Sequence, residues 1–131
     1  MKGNQGDEEI IEKLCSYLIA NFNPKLEFKI KELLKNILPE PESKWLKKMW
    51  RFGHADISVY RHDKLICIVE PGGWHHFKDG KQILNDKKKY ILCKLNSVNV
   101  LRIVNDVVEN DLGLLKTKRL FKKYFYGKNL K

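Results

Sequence analysis

Two carboxylates and two imidazoles stand where they could do chemistry. The stretch VEPGGWHHF, residues 69 to 77, ends an apolar run (Leu65 to Val69) in Glu70, then sets a Pro-Gly-Gly break, Trp74, His75 and His76 behind it. A second acid, Asp56, opens the preceding apolar run, Ala55 to Tyr60. Carboxylate oxygens are ligands for hard divalent cations, and imidazoles exchange protons near neutral pH. A strand that looks buried and stops on an acid is either capping an ordinary strand end or contributing to a site.

The two acids are positioned by a hairpin. Both runs alternate, and Arg61-His62-Asp63-Lys64 between them reads as the turn. A three-residue loop at His62-Asp63-Lys64 pairs Arg61 with Leu65 and therefore Asp56 with Glu70. Alternation then sets Asp56, Ser58 and Tyr60 beside Ile66, Ile68 and Glu70 on one face. Opposed like charges in a sheet repel, so a shared divalent cation with oxygen ligands is one account of the pair. Exposed strand ends are the other, and a one-residue slip would send the acids to opposite faces.

The elements around the hairpin follow from periodicity. Residues 7 to 22 read as a helix, with Asp7 as N-cap and Ile10, Ile11, Leu14, Leu18 and Phe22 at helical spacing, ended by Asn23-Pro24. Leu26 to Ile30 alternates like a strand, and 31–38 and 43–50 read as helical around Pro39-Glu40-Pro41. A helix is expected over 80–95 with Leu84, Ile91 and Leu95 on one face, then a strand over 98–103. A final amphipathic helix spans roughly 114–126. The order predicts a single α/β domain over 1–131, a small mixed β-sheet flanked by helices.

Composition narrows the partners. The chain has 131 residues, 43% hydrophobic and 11% aromatic, enough for one core, and no apolar run approaches the length of a membrane span. The start carries no signal-peptide pattern. Three separated cysteines, Cys15, Cys67 and Cys93, lie in apolar segments and read as core residues in a reducing, cytoplasmic setting. A net charge of +10, from 26 Lys+Arg against 16 Asp+Glu, favours a polyanionic partner, with a merely solvated Lys-rich surface as the plain alternative. Lys118, Arg119, Lys122 and Lys123 fill one arc of the last helix opposite Leu120, Phe121, Tyr124 and Phe125, which makes them candidate phosphate contacts. A second basic track is Lys44, Lys47, Lys48 and Arg51, beside Trp45 and Trp50.

Asp56, a hairpin, and an apolar strand ending in Glu70 together resemble the PD-(D/E)XK nuclease superfamily. The turn into Gly73-Trp74-His75-His76 is similar to its small very-short-patch-repair (Vsr-like) members. Asp86, Lys89, Val98 and Val100-Leu101-Arg102-Ile103 follow the downstream rhythm of those relatives. The opening Lys2-Gly3-Asn4-Gln5-Gly6-Asp7 resembles archaeal Holliday junction resolvases. The resemblance implies a restriction-endonuclease-like core in which Asp56 and Glu70 hold Mg²⁺ (or Mn²⁺), with Asp7 on the first helix completing the metal site. Glu8 and Glu12 are the fallback acids. The family lysine, two residues after the Glu, is absent, since Gly72 stands there. Either His75 or His76 takes its role as in Vsr-like relatives, or Lys89 does so from the helix, where Gln82, Asp86 and Lys89 form one stripe. The Gly72-Gly73 turn lets backbone approach phosphate. Trp74 stacks on bases or fills the core. His54 is a weaker candidate and His62 a solvated turn residue.

The reading is therefore a metal-dependent DNA endonuclease. Its rival is a nucleic-acid-binding protein on the same fold that lost catalysis with its lysine, and the plainest alternative is a basic accessory protein without a site. Junctions, mismatches, specific sites and free ends all suit the sequence, as does RNA. Cutting a junction would require a homodimer.

Overall fold

The computed structural model describes residues 2–22, 26–72 and 80–126, with side chains from Glu8 onward. Its centre is a four-stranded mixed sheet in the order β1-β2-β3-β4: β1 (Glu27–Leu33), β2 (His54–Arg61), β3 (Lys64–Gly72) and β4 (Asn99–Val104). The first three strands run antiparallel, and β4 joins β3 in parallel through the crossover helix α4 (Gly80–Lys94). Parallel neighbours need such a crossover, and it covers one sheet face. The expected α/β architecture with a small mixed sheet is the one observed.

Two apolar layers hold the sheet. On one face, Ile57, Val59, Cys67, Val69, Leu101 and Ile103 pack against α1 (Lys2–Phe22), α5 (Asn105–Glu109) and α6 (Asp111–Tyr126). Ile11, Leu14, Cys15, Leu18 and Phe22 form the buried stripe of α1. Phe22 meets Phe125 edge-on with centroids 5.2 Å apart, an arrangement that favours the ring quadrupoles. On the other face, Ile68 and Val100 pack with Leu34 of α2 (Leu34–Ile37), Met49 and Trp50 of α3 (Lys44–Phe52), and Leu92 and Cys93 of α4. All three cysteines are free and buried, as core residues should be.

Several local expectations are corrected. Helix α1 starts at Lys2, so Asp7 lies within it and is not its N-cap. The helix expected over 31–38 shrinks to Leu34–Ile37, because β1 continues to Leu33 and pairs it with His54. Pairing with a neighbouring strand overrides a weak local helical pattern. On α4, Leu84 is exposed, as is Leu95 just past its end, and Leu92 and Cys93 are buried instead. On α6, Leu120 is exposed and Lys118 half-buried, while Leu114, Phe121 and Phe125 face the core. Asn23-Pro24 lies outside the described residues.

Candidate functional site

The hairpin that sets the site turns more tightly than a three-residue loop. Arg61 pairs with Lys64, leaving His62 and Asp63 as a two-residue turn with φ of 53° and 63°. Two consecutive left-handed residues are what a type I′ hairpin demands. A bulge then shifts the register: Tyr60 faces Leu65, but Val59 faces Cys67. The extra residue restores the alignment that the longer loop would have produced. Asp56 therefore does lie beside Glu70, on the face that meets α4.

The β2–β3 ladder stops at Ile57–Val69, and the next amide, Asp56 N–H, donates to Glu70 Oε2 at 2.9 Å. Glu70 Oε1 accepts from Lys89 Nζ at 2.7 Å and from Arg102 Nη2 at 3.4 Å. Arg102 Nη2 also reaches Asp86 Oδ1 at 2.7 Å, and Gln82 Nε2 donates to the same oxygen at 3.4 Å. His54 Nε2 lies 3.3 Å from Asp56 Oδ1. Glu70 is buried, so these partners supply the hydrogen bonds and countercharge a desolvated carboxylate requires.

These groups line one cleft of about 550 Å³. Part of its lining comes from α1, where Glu8 pairs with Lys31 of β1. Lys31 has φ 55° and is missing from the β1–β2 register between Ile30–Ile57 and Glu32–Ala55. A left-handed lysine costs about 1–2 kcal/mol, and strain of this kind gathers at functional sites. Gly53, joining α3 to β2, is required by crowding: a Cβ there would sit 2.5 Å from the Met49 carbonyl oxygen. Four carboxylates (Glu8, Asp56, Glu70, Asp86) against three cations (Lys31, Lys89, Arg102) leave the cleft one negative charge with His54 neutral, on a chain that carries +10.

Of the residues singled out in the sequence, the cleft brings together Asp56, Glu70, Lys89 and His54, with the Gln82-Asp86-Lys89 stripe facing inward. On α1, Glu8 lines it; the side chain of Asp7 lies outside the described residues, as do Gly73, Trp74, His75 and His76. Gly72 is not a turn residue: it belongs to β3 and pairs with Val104. His62 is exposed in the turn. Lys118, Arg119, Lys122 and Lys123 do not line the cleft. Sequence reasoning missed Arg102, Lys31 and Asn105 as cleft residues. The signals for Arg102 were a lone cation between apolar Leu101 and Ile103 and its place in the downstream rhythm.

The oxygen donors the cleft could offer a hard cation are Asp56, Glu70 and Glu8. Asp56 and Glu70, linked through the Asp56 amide, both line the cleft, and so does Glu8. Among the described residues no group of three or more His, Cys, Asp or Glu is arranged to hold an ion. Mg²⁺ keeps several waters and commonly takes one or two carboxylates plus substrate phosphates, so it asks for fewer protein ligands than a zinc cage does. No family model, curated protein or solved structure matches this chain. No helix among the described residues is long and apolar enough to cross a membrane.

Proposed function

We propose that this protein is a metal-dependent DNA endonuclease that hydrolyses phosphodiester bonds. The observation that carries the reading is the juxtaposition of Asp56 and Glu70 with the Lys89 ammonium 2.7 Å from Glu70. On this reading Asp56 and Glu70 hold Mg²⁺ or Mn²⁺, joined by an acid of α1, either Glu8 or Asp7. The ion would supply a more acidic bound water and charge stabilisation on the phosphoryl oxygens. Lys89 takes the role of the lysine missing at Gly72: its ammonium orients Glu70 and lies where it can neutralise charge growing on the phosphate. Arg102 fixes Glu70 and Asp86 and keeps the wall of the cleft rigid. His75 and His76 remain the alternative proton donors.

The rival, a nucleic-acid-binding protein without catalysis, draws support from the same network. Both oxygens of Glu70 already have partners, Lys89 and Arg102 on one and the Asp56 amide on the other. Nicking of supercoiled plasmid in Mg²⁺ or Mn²⁺, with EDTA as control, separates the two. Wild type should nick, and Asp56→Asn and Glu70→Gln should not, while all three bind DNA. Binding without nicking in either ion would establish the rival, and full activity in both variants would remove these acids from the mechanism.

A further inference from the structure

The exposed arc of α3 carries two parallel rows of side chains that the cleft does not use. With 3.6 residues per turn, Lys44, Lys48 and Arg51 fall along one line and Trp45 and Phe52 along the next, all within about 120° of arc. All five are exposed, Trp45 at 46% and Phe52 at 70%, while Leu46 fixes the opposite side of the helix in the core. Trp45 and Phe52 are seven residues apart, about 10 Å along the axis. Lys88 of α4 holds its ammonium 5.3 Å from the Trp45 ring centroid, which steadies the indole and adds a cation to the strip.

The charge on this face is not balanced locally. Helix α3 contains no acid, and among the described residues Lys47 is its one cation paired with a carboxylate, Glu40 at 3.6 Å. The strip is joined to the cleft along the chain. Phe52 ends α3, Gly53 follows, and the next residue, His54, lines the cleft beside Asp56. At the other side Lys88 is the chain neighbour of Lys89, which pairs with Glu70.

We infer that the Trp45–Phe52 and Lys44–Lys48–Arg51 rows form a single-stranded nucleic-acid track that delivers an unpaired strand to the Asp56–Glu70 cleft. The inference deepens the nuclease reading and rests on it for the role of the cleft. Two rings open to solvent and flanked by cations match a chain of bases with faces to stack on and phosphates to neutralise. A duplex hides its base faces and would use the cations alone. An anionic membrane would also accept aromatics and lysines, but it would have no use for the carboxylate-lined cleft to which the strip is joined along the chain.

Binding measured in EDTA, where no cleavage can occur, tests the track apart from the chemistry. The probe is a fluorescein-labelled oligothymidine of about 12 nucleotides, within the range of single-strand site sizes. The full chain should bind it more tightly than a duplex of the same length. Trp45→Leu and Phe52→Leu should each weaken single-strand binding by about tenfold, with duplex binding nearly unchanged. Trp45→Phe, which keeps a ring, should restore most of the loss. Lys48→Gln with Arg51→Gln should reduce the salt-dependence slope by about 1.4 units for two single-strand phosphate contacts. Single-strand binding equal in wild type and the Trp45→Leu/Phe52→Leu double variant would overturn the track, even if nicking in Mg²⁺ persists. Loss of binding to phosphatidylserine vesicles in the double variant, without loss of oligothymidine binding, would overturn it in favour of a lipid surface. Ring-dependent single-strand binding with no nicking in Mg²⁺ or Mn²⁺ would leave the track standing and remove the nuclease reading.

Discussion

Lys89 Nζ meets Glu70 Oε1 at 2.7 Å with both side chains nearly out of solvent, 13% and 3% exposed. Helix α4 and strand β3 are thereby tied where they line the cleft. Such a pair contributes little over a well-packed apolar one, but breaking it strands a charge where water cannot reach it. Lys89→Met should therefore cost about 3–5 kcal/mol, tempered by Arg102, which remains 3.4 Å from the same oxygen. Glu70→Gln should also destabilise, and the double variant should lose less than the two singles added together. Urea unfolding of the four proteins gives the coupling, expected at about 0.5–3 kcal/mol. Additive losses would mean that the contact is incidental.

Lys89 has a second consequence. If it stands in for the lysine missing at Gly72, Lys89→Ala should lower the single-turnover nicking rate by roughly 10²-fold or more while binding in EDTA is kept. Lys89→Arg preserves the charge but not the compact ammonium, and should recover stability better than rate. His75→Ala and His76→Ala serve as the contrast. A rate loss confined to the histidine variants would transfer the role to them.

The turn offers a test remote from the cleft. His62 and Asp63 both sit at positive φ, which Asn-Gly accommodates with less strain. His62→Asn with Asp63→Gly should stabilise the protein by about 0.5–1 kcal/mol, read as a higher urea midpoint at unchanged slope. A loss of stability would show that the two side chains make compensating contacts.

The same hairpin marks what was legible in the sequence. Period-two alternation revealed β2 and β3, and Asp56 came out beside Glu70, one step past the end of the ladder, although the loop differed, because the bulge between Val59–Cys67 and Tyr60–Leu65 supplies the residue the shorter turn omits. Helix α4 was legible in extent but not in orientation. Its inward arc includes Gln82, Asp86 and Lys89, so an apolar-face rule pointed Leu84 and Leu95 the wrong way. Arg102 showed only as a lone cation in a strand; its place in the site lies in the parallel register with Glu70, which no local pattern encodes. The extra length of β1 was set by its partner strand, through contacts with residues more than twenty positions away.

Alkaline pH should expose the buried thiols. Burial first, and then the charge of Glu70, push the Cys93 thiol up to about 12 against the opposing pull of Lys89, and burial raises Cys67 as well. The unfolded thiol titrates near 9, so above that pH the unfolded state gives up a proton that the native state keeps. Stability is then full below pH 9 and falls as pH climbs from about 9 towards 12. Urea unfolding of Cys93→Ala across that window should show a shallower decline than wild type. A parallel decline would assign the alkaline loss to other groups.

The basic arc of α6 supplies the last test. Arg119, Lys122 and Lys123 are exposed, while Phe121 and Phe125 anchor the helix in the core, so the cations can be neutralised without disturbing packing. None of them lines the cleft, and contacts they make to a polyanion are to phosphates, which carry little sequence information. Lys122→Gln with Lys123→Gln should weaken duplex DNA binding about equally for all sequences and flatten its salt dependence by up to about two units of slope. The nicking rate on saturated DNA should persist, because neither lysine reaches Asp56 or Glu70. Affinity measured against salt concentration for wild type and the double variant decides between the two basic faces. An unchanged slope would reduce α6 to a solvated surface and leave Lys44, Lys48 and Arg51 on α3 as the phosphate contacts.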